Sequence, residues 1–509
     1  MKKNKLLYLS LITVIISSIM VAINSFDTRK GLNMPTTQQN NQILIFTLND
    51  MPINIDYQTK DTWYDMPMMT TEFEMNLKVP DDNGYKYEIN FKEVKPGDTV
   101  KVKLDKLTKD SGIAIHITKK GSNDTHKYAI RSLNSTMPDF DVYYDKPQDG
   151  YYYFNCENFI IKMNTEGKIV FYKATSGYSI DFKRTEVNGK TYYSYFERKQ
   201  PLLSNEVISE YNPSSLILMD EKYNTIDTVS NIIKTEKNNG SSLDWNDAII
   251  LDKGHYILMS YDKEVVNNIP EDITHSTQGT KVLASVIQEI KDNKVIFEWN
   301  STDYTELYRY SNYNNDYINK NSYYSDYMHL NSINIDPKDN NIIVSIRNLD
   351  SIIKIDRNSG KILWILGGKG DEFNLAENQK TNKQHFAQYS ENGTITVFDN
   401  GMRSVEGGFL SGYYQSYVKE YNIDEVNKQL VGYNEFKIEG RYSPIMGSAK
   451  RLEKDKNVFL IGWGGRASCT PLFSEEDFDT NKTIFEVNYN RNLKDTYTAN
   501  SYRVYKDDK

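Results

Sequence analysis

A chain of 509 residues has room for two or three domains and a sizeable core. Its 61 basic and 69 acidic residues give a net charge of −8 and form no basic stripe, which argues against nucleic acid as a partner. Two cysteines with no CxxC spacing are too few for a zinc site, and there is no Gly-rich phosphate loop, so no metal and no cofactor are expected.

The N-terminus stands apart. Lys2, Lys3 and Lys5 precede an uncharged run, residues 6–23, that fits a secretory signal peptide or a short membrane-anchoring hydrophobic helix. The lysines favour a cytoplasmic start with the rest of the chain outside, so the protein is expected to be exported, either secreted or held on the outer face of the cell membrane. Residues 1–25 form this segment and 26–42 a polar linker with "MPTTQQNNQ". From 43 to 140, stretches such as "KYEINFKEV" and "TVKVKLDKL" alternate apolar and polar residues, and "PDDNG" and "KPGD" supply turns. Four to seven short strands here predict a small β-sandwich.

Beyond residue 140 a repeat emerges: a strand, a polar turn with Asn or Gly, then a β-branched strand. It occurs as "MNTEGKIVFY" at 163, "MDEKYNTIDTV" at 219, "EIKDNKVIFEW" at 289, "IDRNSGKILWI" at 355, "NIDEVNKQLVGY" at 422 and "DFDTNKTIFEV" at 477. Six copies, each with space for about four strands, predict a six-bladed β-propeller over 141–509. The whole is an all-β protein, consistent with its 39 tyrosines and many β-branched residues. In a propeller the last blade meets the first, which brings Cys156 toward Cys469. A disulfide between them is one reading for an exported chain; two buried thiols is the other.

The chemistry concentrates in two hairpins. "HLNSINIDPKDNNIIVSIR", residues 329–347, reads as strand, turn, strand. Centred on Lys338, it sets His329 opposite Arg347 and Asn331 opposite Ser345, and His329, Asn331 and Arg347 share one face. The next hairpin, "KQHFAQYSENGTITVFDNG", opens on His385 much as the first opens on His329. A single histidine on a strand is ordinarily structural. Two of them at equivalent ends of adjacent repeats, with an Asn and an Arg, make a candidate site. His116, His126, His255 and His275 lie in unremarkable polar surroundings. The tyrosine-rich stretch 308–331 is either an aromatic rim for phenolic ligands or a surface loop.

These motifs carry a resemblance. "HLNS" at 329–332, "IVSIRN" at 343–348, "KIDRNSGKILWILGG" at 354–368, "QH" at 384–385, "FDNG" at 398–401 and "MGSAKRL" at 446–452 resemble the bacterial arylsulfotransferase family, which transfers a sulfuryl group between phenols without a nucleotide donor. The resemblance implies a six-bladed propeller, an aryl sulfate donor and a phenolic acceptor. It also implies His385 as nucleophile, forming a sulfo-histidine in a ping-pong reaction. Arg347 and Asn331 would bind the sulfuryl oxygens, and His329 would donate to one of them or shuttle the phenol proton. One departure stands out: where the family has a histidine before an Asp, this chain has Asn246 before Asp247. An amide donates to a bridging oxygen but cannot act as a base. A hydroxyl ligand is expected from Ser448, with Thr470 as second candidate. Asn246 keeps an alternative open: a non-catalytic propeller that binds phenolic or sulfated ligands.

Overall fold

The computed structural model describes residues 43–82, 84–198, 214–274, 278–320, 323–402, 415–465, 470–489 and 501–507. The hydrophobic run at 6–23, the linker, His275 and Cys469 lie outside the described residues. Among the described residues no helix is long and apolar enough to cross a membrane. Among the described residues nearly all regular structure is β; the exceptions there are the single turn of α-helix Leu307–Tyr310 and the 3-10 turns Ser301–Asp303 and Arg347–Leu349.

Two sheets occupy most of 43–131. One orders Met51–Asp56, Ile43–Leu48, Met75–Lys78 and Thr99–Val102; the other orders Thr62–Tyr64, Thr125–Arg131, Gly112–Lys119, Tyr85–Ile89 and Lys92–Val94. Exposed and buried positions alternate along Ile43–Leu48 and Tyr85–Ile89, because one face of each sheet meets solvent and the other meets the core. The inner faces join through pairs such as Phe46 against Tyr87, edge to face at 5.6 Å. Met68–Thr70 leaves this region to pair with Ile169–Ala174, so the N-terminal sheets are stitched to the chain beyond residue 140.

The rest of the chain builds six four-stranded units. Their innermost strands are Val504–Asp507 in the first, lying inside Tyr151–Cys156, and then, in chain order, Tyr178–Val187, Leu243–Asp252, Leu330–Ile335, His385–Tyr389 and Ser448–Arg451. Each innermost strand touches the next, and Val504–Asp507 touches Val458–Gly462 of the sixth unit, which closes a ring. Every copy of the sequence repeat falls on the hairpin joining the two outer strands of one unit. In the first unit that holds because Val504–Asp507 supplies its first strand. The second and third units touch through one register pair, Ser214 with Leu243, and so count as one eight-stranded sheet. The middle strands of a unit are covered on both faces. Ile342–Ile346 and Ser351–Ile355 are buried at every position, so alternation is absent there.

Charged groups seal the seams between units. Lys354, 1% exposed, reaches Asp336 at 2.6 Å, Asp339 at 2.8 Å and Glu425 of the next unit at 2.6 Å. The three carboxylates lie close enough together to hold a metal ion, but the ammonium already occupies their centre. Lys354→Met leaves Asp336 buried without its cation and is expected to cost about 3–5 kcal/mol, read as a lower urea midpoint.

Candidate functional site

The site lies where innermost strands begin, and irregular backbone builds it. In the hairpin after His329, Asp336 N–H donates to Asn341 O at 2.8 Å, so four residues turn the chain and the register runs one residue beyond the sequence expectation. Ser332, not Asn331, pairs with Ser345. A β-bulge at Asn331 then takes up the slip. Leu330 pairs with Ile346, and Arg347 N–H donates to His329 O at 3.0 Å, as the sequence expectation places them. His329 itself has φ +56°, a left-handed conformation just before the strand. The next unit repeats the device: a bulge follows His385, and Phe386 has φ +56°. Bulges and left-handed residues do not show in an alternating pattern, which is why register reasoning recovered the His329–Arg347 pair but not Asn331.

The two histidines differ in their partners. His329 places Nδ1 2.7 Å from Asp326 Oδ2, and Asp326 is buried. His385 is 4% exposed, and its Nδ1 lies 2.7 Å from Asn400 Oδ1 and 3.1 Å from Lys383 O. Both of these are acceptors, so Nδ1 carries the proton and Nε2 is the lone pair, receiving Met446 N–H at 3.3 Å. Burial, then the charge of Arg347, holds the His385 imidazole well below the ordinary value of 6.5. It is therefore neutral at pH 7. Asp326 and Asn400 escaped the sequence reading as individual residues, although Asn400 lies within "FDNG" and Asp326 sits three positions before His329.

Arg347 opens the 3-10 turn and is half-buried. Its guanidinium donates to Asn348 Oδ1 at 3.0 Å and lies over the Tyr313 ring at 5.4 Å; among the described residues no carboxylate comes within 4.0 Å of it. Lys383 also lies over the Tyr313 ring at 5.4 Å, and burial lowers the pKa of its amine. The tyrosine-rich stretch is thus divided. Tyr308, Tyr317 and Tyr327 are core residues, while Tyr313 is exposed beside the cations.

The other expected residues take supporting positions. Asn331 is 0% exposed and spends Nδ2 on Gln384 O at 2.8 Å, tying the residue before His385 to the neighbouring unit. Asn246 donates to Asp244 at 2.9 Å and accepts the Tyr502 hydroxyl at 2.7 Å. Below it, Arg503 bonds Asn331 O at 2.7 Å and Asp247 at 2.8 Å, while Lys183 bridges Asp247 at 2.8 Å and Asp181 at 2.7 Å. This buried network joins the C-terminal strand to the second, third and fourth units. Ser448 is buried with Oγ 3.5 Å from Val504 N, so the sixth unit meets His385 through the Met446 amide rather than that hydroxyl. Thr470 is buried. Cys156 is buried at the end of its strand, and its expected partner Cys469 is outside the described residues.

The arylsulfotransferase family model matches residues 152–503. An arylsulfate sulfotransferase of Escherichia coli O6:H1 is 33% identical over 213 residues, and one of Lelliottia amnigena is 32% identical over 213 residues. Each match covers 35% of this chain and 34% of the relative, so the chain spans about a third of the length of these relatives. Among solved structures, a protein of unknown function from Bacteroides caccae is 11% identical with TM-score 0.36, covering 70% of this chain and 99% of that one. A nidogen/laminin complex chain is 10% identical with TM-score 0.36, covering 70% and 97%.

Proposed function

Because the chain belongs to the arylsulfotransferase family, we propose that it is a six-bladed propeller enzyme that moves a sulfuryl group from an aryl sulfate to an acceptor phenol through His385. The observation that carries this reading is the pairing of a neutral, buried imidazole with a guanidinium that has no carboxylate partner among the described residues. A cation placed so is ready for an anion, and a sulfate ester supplies one.

In the first half-reaction, Nε2 of His385 gives up the Met446 N–H and attacks sulfur, the bond between sulfur and the aryl oxygen breaks, and the phenolate leaves. Arg347 balances the charge on the sulfuryl oxygens. His329 delivers the proton to the departing oxygen, and Asp326 stabilises the ring when it holds that proton. The second half reverses the roles: the acceptor hydroxyl gives its proton to His329, its oxygen attacks sulfur, and the Nε2–S bond breaks. Asn331 holds the His385 strand in place through Gln384. Asn246 carries an amide, which is not an acid, and in this reading His329 is the proton donor. Asp326→Asn is expected to slow turnover of phenyl sulfate about 10²-fold or more, and that of 4-nitrophenyl sulfate far less, since nitrophenolate leaves without help. Initial rates across a series of leaving groups check this.

Export, through the run at 6–23, and a disulfide between Cys156 and Cys469 belong to the same proposal. The direct test mixes the protein with 4-nitrophenyl sulfate, with and without phenol. Nitrophenol release that requires phenol supports transfer. Release without an acceptor means hydrolysis, and no release with several donors and acceptors favours the second reading, a ligand-binding propeller, to which Asn246 points.

A further inference from the structure

Two histidines with different jobs need different neighbours, and here the difference is one functional group. Asp326 offers a carboxylate to Nδ1 of His329, and Asn400 offers an amide oxygen to Nδ1 of His385, both at 2.7 Å. The Asn400 amide cannot turn around. Its Nδ2 donates to Ser443 O and Met446 O, each at 2.9 Å, and a flip would set its oxygen against two carbonyls. Oδ1 therefore faces His385. Asn400 is 0% exposed and does not reach the site mouth. It also holds the carbonyl of Met446, the residue whose N–H meets Nε2 on the other side of the same ring. Met446 has φ +62° and Gly447 φ +101°, so this turn needs holding.

We propose that Asn400 is the positioning residue of the nucleophile: by accepting the Nδ1 proton without offering a negative charge, it fixes His385 as the neutral tautomer whose Nε2 lone pair faces the Met446 turn. This rests on the transferase reading for its purpose, but the tautomer is a property of the resting protein. Among the described residues, Arg347 and His329 of the fourth unit and Arg503 before the C-terminal strand all oppose a positive charge on His385. A carboxylate at position 400 would oppose them, because a negative charge beside Nδ1 favours the protonated ring.

The test uses the full chain labelled with ¹⁵N in its six histidine rings, the His385 signal being assigned by its loss in His385→Asn. Native His385 is expected as the neutral Nδ1–H form at pH 7. Asn400→Asp, nearly isosteric, is expected to raise the pH at which the ring takes up its second proton and to move the acid limb of kcat/KM for 4-nitrophenyl sulfate upward by about one to three pH units. Asn400→Ala, left with Lys383 O alone, is expected to lower kcat without that shift. A native Nε2–H tautomer overturns the proposal whatever the variants do. So does an Asn400→Asp protein whose ring spectrum and pH profile match the native. If native protein turns over no aryl sulfate, the transferase reading fails, and the ring spectra alone still decide the role of Asn400.

Discussion

His385→Asn is expected to abolish aryl sulfate turnover, with kcat/KM down by about 10⁴-fold or more. Asparagine fills much of the imidazole's space and can still meet Asn400, so the fold should survive. It cannot form a sulfuryl ester that an acceptor would then attack. Measured with and without phenol, both half-reactions should vanish together. The pH dependence of native enzyme follows from the same residue. A nucleophile must be unprotonated, and burial holds His385 well below 6.5, so activity should persist through that pH and fall only at more acid values. A limb at or above 6.5 would mean that another group is titrating.

Arg347→Met is the second large effect, expected at about 10³-fold in kcat/KM. Among the described residues the guanidinium has no acidic partner to strand, so its removal leaves no unpaired carboxylate there, and stability should change little. Its charge also lowers the pKa of His385, so the acid limb of the variant should move toward higher pH. That second readout separates loss of a charge from loss of packing against Tyr313, because Tyr313→Leu would remove the packing and leave the limb in place. Arg347→Lys keeps the charge and should keep the limb, while losing the planar fork that matches sulfuryl oxygens.

Much of this geometry was legible in the chain because it is periodic. Alternating residues marked the N-terminal strands, one face of which meets water, and the six turn-and-strand copies counted the units of the ring. Register arithmetic placed His329 beside Arg347 only because the bulge cancels a turn one residue longer than expected. It misplaced Asn331, because a bulge inserts a residue that no hydrophobic pattern announces. The closing strand Val504–Asp507 is four residues long and pairs across the whole chain with Tyr151–Cys156, a contact with no local signal. Tyr308, Tyr317 and Tyr327 looked like loop residues, yet each is buried with its hydroxyl hydrogen-bonded, which is how a tyrosine enters a core. Asp326 and Asn400 were hidden for a related reason. Each acts by touching one ring nitrogen, and only the folded chain says which nitrogen.

The central claim is that sulfur passes through His385. Incubating the protein with excess 4-nitrophenyl sulfate and no acceptor, then quenching in base and measuring the mass of the peptide that contains residue 385, tests it most directly. The expected result is one added sulfuryl group on His385, formed in step with a burst of one nitrophenol per chain and lost when phenol is added. An unmodified peptide alongside phenol-dependent nitrophenol release would mean direct transfer between the two phenols, and His385 would not be the nucleophile.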